Sequence, residues 1–146
     1  MIILDTNVVS EMLRPQPDAG VAAWLSAQDG AQVHLTAVTE AELRYGIALL
    51  PQGRRRDDLA EAMRAILTEV FRNRILPFDS AAADLYAAIG ANRRAAGRPI
   101  SQFDCQIAAI ARLHGATLAT RNTADFADCG IAIVDPWRQS STTFGK

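Results

Sequence analysis

The sequence is poor in the residues that usually carry metal-thiolate or nucleophilic chemistry: it has two cysteines and two histidines among 146 residues. Cys105 and Cys129 form no C-x-x-C pair and no cluster with His34 and His114. That spacing argues against a zinc site and against a disulfide framework, and a reducing cytosol is the simplest setting. Each cysteine reads as a small buried apolar residue. An excess of one charge is also missing, since 15 basic and 16 acidic residues leave a formal net charge of -1. A polyanionic ligand would therefore need a local basic patch or a bound cation, because the protein's overall field does not attract it. Long apolar runs are absent too. The stretch from Met1 to Leu4 is too short for a signal peptide, and no later run reaches the roughly 18 residues of a membrane span. These absences predict a soluble, cytoplasmic protein without a membrane partner.

What the chain does have is a 49% hydrophobic content, enough for one compact domain with a sizeable core. β-like segments lie at 2–4, 32–36, 116–120 and 131–135, with a weaker one at 74–78. Helical spacing fills the intervals. Ser80 to Ala96, with Ala81, Leu85, Ala88, Ile89 and Asn92 on one side, stops at Gly97, and Ser101 to His114 closes at Gly115. Met63, Ile66, Leu67 and Val70 mark another helix, and Val8 to Leu13 and Val38 to Leu50 are each followed by a proline. Alternating strands and helices predict an α/β fold with a central parallel sheet of four or five strands between helical layers. The polar stretch 138–146 lacks periodicity and is expected to form a disordered tail behind a domain spanning 1–137.

In an open parallel α/β sheet, ligands bind at the carboxyl ends of the strands, where helix N-termini converge. Four acids fall at such junctions: Asp5 after the first strand, Glu42 early in the helix after "VHLT", Asp104 in the first turn after Ser101, and Asp125 in the loop after "TLAT". Each also has a purely structural explanation. Asp5 is placed to cap the Val8 helix, Thr39 to Glu42 and Ser101 to Asp104 each match a capping box, and Asp125 suits a surface turn. Converging carboxylates would repel one another and raise their pKa values unless a cation neutralised them. The natural cation is a hard one, Mg²⁺ or Mn²⁺, which takes oxygen ligands together with waters and substrate phosphates. Such a site hydrolyses phosphodiesters.

The stretches "ILDTNVVSEMLRPQP" (3–17), "LTAVTEAELRYGIALL" (35–50), "RILPFD" (74–79), "ISQFDCQIAAIA" (100–111), "TLATRNTADF" (117–126) and "DPW" (135–137) together resemble the PIN-domain nucleases. Within them the pattern is similar to the VapC-type toxins of toxin-antitoxin systems, in the FitB-like branch. The resemblance implies a three-layer α/β/α fold and a Mg²⁺- or Mn²⁺-dependent endoribonuclease. It implies a homodimer and a cognate VapB/FitA-like antitoxin, through which operator DNA is bound. Asp5, Glu42 and Asp104 match the metal-binding acids. The fourth position is divided between Asn122, where relatives carry an acid after "TR", and Asp125. Thr6 and Thr120 match hydroxyl positions that orient a carboxylate or a water.

Two other functions fit parts of the pattern. A phosphatase of the haloacid dehalogenase type also places an aspartate after its first strand, although it wants a second acid where Asn7 stands. A non-enzymatic subunit of a DNA-binding regulatory complex would need none of the acids for catalysis. The arginines at 54–56 read as a solvated helix end, while Arg93, Arg94 and Arg98 could either end a helix or steer phosphate. Trp24, Leu25, Leu49 and Leu50 are candidates for an apolar contact surface as well as for the core.

Overall fold

The structure, a computed structural model, describes residues 1–138. Most of the expected polar tail, 139–146, therefore lies outside the described residues. Among the described residues five strands form one parallel sheet in the order β3-β2-β1-β4-β5. The strands are β1 (Ile2–Leu4), β2 (Val33–Thr36), β3 (Ile75–Leu76), β4 (Thr117–Ala119) and β5 (Ala132–Val134). The helices are α1 (Thr6–Met12), α2 (Ala19–Ser26), α3 (Ala37–Ala48), α4 (Arg54–Ala65), α5 (Ser80–Ala95) and α6 (Gln102–Leu113). A π-helical turn at Ile66–Val70 continues α4.

Successive strand residues point to opposite faces, so Ile3 and Leu118 enter one core while Leu4 and Ala119 enter the other. The first core is closed by α5 and α6, and the second by α1, α2, α3 and α4. Because both sheet faces are covered, the strands read as nearly continuous apolar runs. Helix α6 is buried from Ile107 through Ala111 without a break, and its small alanines let it lie close to the sheet.

Two local readings need correction. The buried stripe of α5 runs through Ala82, Ile89 and Arg93, one position away from the expected Ala81 and Ala88, which are exposed. Helix α2 was expected only as an early helix carrying Trp24 and Leu25, without bounds; its start is marked by Asp18, whose side chain accepts from Val21 N at 3.0 Å as an N-cap. Trp24 on α2 belongs to the core at 9% exposed, whereas Leu49 is 66% exposed, so only part of the proposed apolar contact set is available at the surface. Among the described residues no helix is long and apolar enough to cross a membrane.

Candidate active site

The chain leaves β1 for β2 and β3 on one side, then returns to place β4 and β5 on the other. The crevice between the ends of β1 and β4 is the topological switch point, where open α/β sheets bind ligands. Asp5 and Thr120 are the first residues beyond those two strands, and the strand ends are tied by Asp5 N donating to Ala119 O at 2.9 Å.

Asp5 is both a cap and a site residue. Its Oδ1 accepts from Thr6 N at 2.8 Å at the start of α1, and its Oδ2 accepts from the Thr120 hydroxyl at 2.8 Å. Only 5% exposed, the carboxyl is pushed up to about 6, first by burial and further by Asp104 and Glu42, against the lowering effect of those hydrogen bonds. Thr120 also accepts from Asn122 N at 3.1 Å and from Asn7 Nδ2 at 3.4 Å.

Glu42 does not act in a capping box. Helix α3 begins earlier than that reading requires: Thr36 is its N-cap and accepts from Thr39 N at 3.1 Å. Glu42 therefore lies about a turn further in, where its Oε1 accepts from the Thr6 hydroxyl at 2.9 Å. Thr6 and Thr39 are linked at 3.1 Å between hydroxyls, so a buried threonine backs the one that holds the glutamate. The Ser101–Asp104 cap is present, with Ser101 Oγ accepting from Asp104 N at 3.3 Å. Glu42 and Asp104 are half-buried, and desolvation raises both carboxyls. Asp104 adds repulsion to Glu42, while Asp125 raises Asp104 and Arg93 lowers it.

A cleft of about 500 Å³ is lined by Asp5, Thr6, Glu42, Asp104 and Asn122, together with Asn7, Ser10, Glu11, Arg14, Arg121 and Trp137. Asp125 is not on its wall. It sits in a 3-10 turn at Thr123–Phe126, exposed, and influences Asp104 only through its charge. Of the two candidates for the fourth position, Asn122 is the one that reaches the cleft.

Glu11 was not anticipated, and a local signal for it was weak: it is 6% exposed, pairs with Arg14 at 3.2 Å and accepts from Asp18 N at 2.8 Å. Arg93 also departs from the phosphate-steering reading. It is 6% exposed, with Nε donating to Arg98 O at 2.7 Å and Nη1 donating to Asp125 O at 2.9 Å and Ala127 O at 2.8 Å. It thus fastens the turn before Asp104 to the loop after β4. Arg98 pairs with Asp128 at the surface.

Among the described residues, no ion pair reaches Asp5, Glu42 or Asp104, and no three acidic, histidine or cysteine side chains lie close enough together to hold a metal ion by themselves. The donor set is all hard oxygen, uncompensated and open to the cleft. This fits a cation held by few protein ligands with waters and phosphate oxygens completing its shell, as Mg²⁺ prefers, and does not fit a closed structural site.

A PIN domain family model matches residues 2–131. The chain belongs to the PIN domain family. It is 44% identical to the toxin FitB of Neisseria gonorrhoeae over 94% of this chain and 99% of that protein. The VapC ribonuclease Y4jK of Sinorhizobium fredii is 41% identical, over 94% and 98%. A solved structure of FitAB bound to an IR36 DNA fragment superposes with a TM-score of 0.91 at 43% identity, covering 97% of this chain and 99% of the other. PIN-family membership disfavours the phosphatase alternative, and the site agrees, because both oxygens of Asp5 are engaged and Asn7 is bonded to Thr120.

Proposed function

We propose that this PIN-domain protein is the toxin of a type II toxin-antitoxin pair and cleaves RNA phosphodiester bonds as a divalent-metal-dependent endoribonuclease in the cytoplasm. The observation that carries the reading is the convergence of Asp5, Glu42 and Asp104, from three different elements, on one cleft where no ion pair neutralises them among the described residues. Family relatives named as a toxin and a ribonuclease support it.

Asp5, Glu42 and Asp104 would hold the ion, Mg²⁺ or Mn²⁺, and Asn122 offers a neutral oxygen nearby. When bound, that ion supplies the positive charge that draws in a phosphodiester and makes a water acidic enough to attack. The chain's own contribution is orientation. Thr120 aims Asp5, Thr6 aims Glu42, and Thr39 braces Thr6. Desolvation raises the Glu42 and Asp104 carboxyls in the metal-free cleft, and a bound cation would offset that cost by favouring their ionised forms.

A groove of about 960 Å³ between α1, α3 and α4 shares Thr6, Ser10, Arg14 and Glu42 with the cleft and has an apolar floor of Leu43, Ile47 and Leu59. An antitoxin segment of VapB/FitA type lying there would block access to the acids, and the antitoxin would carry the complex to operator DNA. The reading includes a homodimer, for which exposed Phe103 on α6, Tyr45 on α3 and Leu49 at the C-cap of α3 provide apolar surface.

The test is cleavage of total RNA by the purified, partner-free protein with Mg²⁺, with Mn²⁺ and with chelator, alongside Asp104→Asn and Asp5→Asn. Metal-dependent fragments from the parent protein and none from the variants are expected. Full cleavage or full growth arrest by Asp5→Asn would sink the assignment. Operator binding by the complex, with no cleavage by the free protein under either metal, would favour the non-enzymatic subunit.

A further inference from the structure

One wall of the cleft has a chemistry that the acid cluster does not use. Arg121 follows Thr120 at the end of β4, and Trp137 follows β5. The guanidinium carbon of Arg121 lies over the Trp137 ring, 5.1 Å from its centroid. Both residues line the cleft that holds Asp5, Glu42 and Asp104. Their positions are set from the backbone. Arg121 N donates to Asn7 Oδ1 at 3.4 Å, Trp137 N donates to Asp135 Oδ1 at 2.9 Å, and the partly buried indole packs against the core under α1–α4.

Charge makes this wall distinctive. Arg14 and Arg121 are the cations on the cleft wall, and Arg14 is neutralised by Glu11 at 3.2 Å. Arg121 is exposed and, among the described residues, forms no ion pair. Contact with the indole restrains the guanidinium of a side chain that is otherwise exposed to solvent. Guanidinium planes and aromatic rings are the platforms on which proteins stack unpaired bases, and the N–H groups at a guanidinium's edge bind phosphate.

We propose that Arg121 and Trp137 form a nucleotide subsite, which stacks the base of an unpaired ribonucleotide next to the phosphodiester seated at the acids. The base lies on the guanidinium, Trp137 backs it, and the edge N–H groups of Arg121 reach the adjoining phosphate. A base in a duplex is already stacked on both sides, so the subsite selects single-stranded segments. The placement beside a reacting phosphate rests on the nuclease reading; the binding itself does not.

The experiment measures binding of a short unstructured RNA oligonucleotide to the Asp104→Asn protein in Mg²⁺, by anisotropy and by quenching of tryptophan emission. Because Trp24 is only 9% exposed, quenching reports on Trp137, and its loss in Trp137→Phe checks that source. Arg121→Gln is expected to weaken binding about ten-fold, the scale of one lost stacking contact. In an Asp104-intact background it should raise KM by a similar factor while changing kcat far less. A duplex of the same sequence should bind about ten-fold more weakly than the single strand. Unchanged binding in Arg121→Gln overturns the subsite. Full recovery by Arg121→Lys, which keeps the charge and loses the plane, overturns stacking and leaves only steering. If the parent protein binds and is quenched but cuts nothing, the nuclease reading fails while the subsite stands.

Discussion

Replacing Asp5 with asparagine should make the metal-free protein more stable at neutral pH while it destroys the proposed activity. The carboxyl is raised from 3.8 to about 6, chiefly by burial. Below the unfolded-state value both native and unfolded chains carry it protonated, and no penalty exists. As pH rises, the unfolded chain ionises first, and native stability is lost until the native carboxyl has itself ionised near 6. The gap between 3.8 and about 6 corresponds to a cost of about 3 kcal/mol. Asparagine keeps the acceptor for Thr6 N, but presents an NH₂ to a Thr120 hydroxyl that already accepts from Asn122 and Asn7. That mismatch returns about 1–2 kcal/mol, so a net gain of about 1–2 kcal/mol remains at pH 8. In a domain of this size that raises Tm by about 4 °C. Urea unfolding in chelator from pH 4 to 8 reads the effect directly, since the variant's advantage should grow between pH 4 and 6 and then level off. Adding Mg²⁺ should stabilise the parent protein and not the variant. An asparagine variant less stable than the parent at pH 8, or an advantage independent of pH, would refute the argument.

Other outcomes follow from the same geometry. Thr120→Val removes a hydrogen bond to an ionised carboxylate, worth about 1.5 kcal/mol or more, so Asp5 should titrate about one pH unit higher and the acid limb of the cleavage profile should move up with it; an unmoved limb would show that Asp5 does not govern that limb. Arg93→Met strands three carbonyl groups and should cost about 3 kcal/mol in urea unfolding, with Arg93→Lys recovering only part of it because one ammonium cannot span both segments. Asp125→Ala should leave cleavage within a few-fold of the parent at pH 8, since its carboxylate does not line the cleft, whereas Asn122→Asp should tighten Mn²⁺ binding measured by calorimetry. A large loss of cleavage in Asp125→Ala would reassign the fourth position.

Much of the molecule was legible in order along the chain. Five β-like segments and the helices between them announced a parallel α/β sheet, because period and apolar content are local properties that survive without a structure. The acids at strand ends were readable for the same reason, and so was the family resemblance. Ambiguity remained wherever a residue satisfied two local rules at once. Asp5 fitted both cap and ligand and is positioned for both, and Asp104 follows a real Ser101 cap while facing the cleft. Glu42 matched a capping box only because the true cap, Thr36, lay three residues before the threonine assigned to that role.

By itself, then, the sequence determined the fold class, the family and the short set of acids that could matter. Tertiary structure decided which of them meet. The order β3-β2-β1-β4-β5 puts the crevice between β1 and β4, so Thr120 reaches Asp5 across 115 positions and Thr6 reaches Glu42 across 36. It also turned Arg93 inward as a clamp and brought Arg121 against Trp137, pairings that no periodicity encodes. The physical reason is that a carboxylate's charge state depends on burial and on neighbours distant in sequence. Those neighbours exist only once the sheet has closed between its two helical layers.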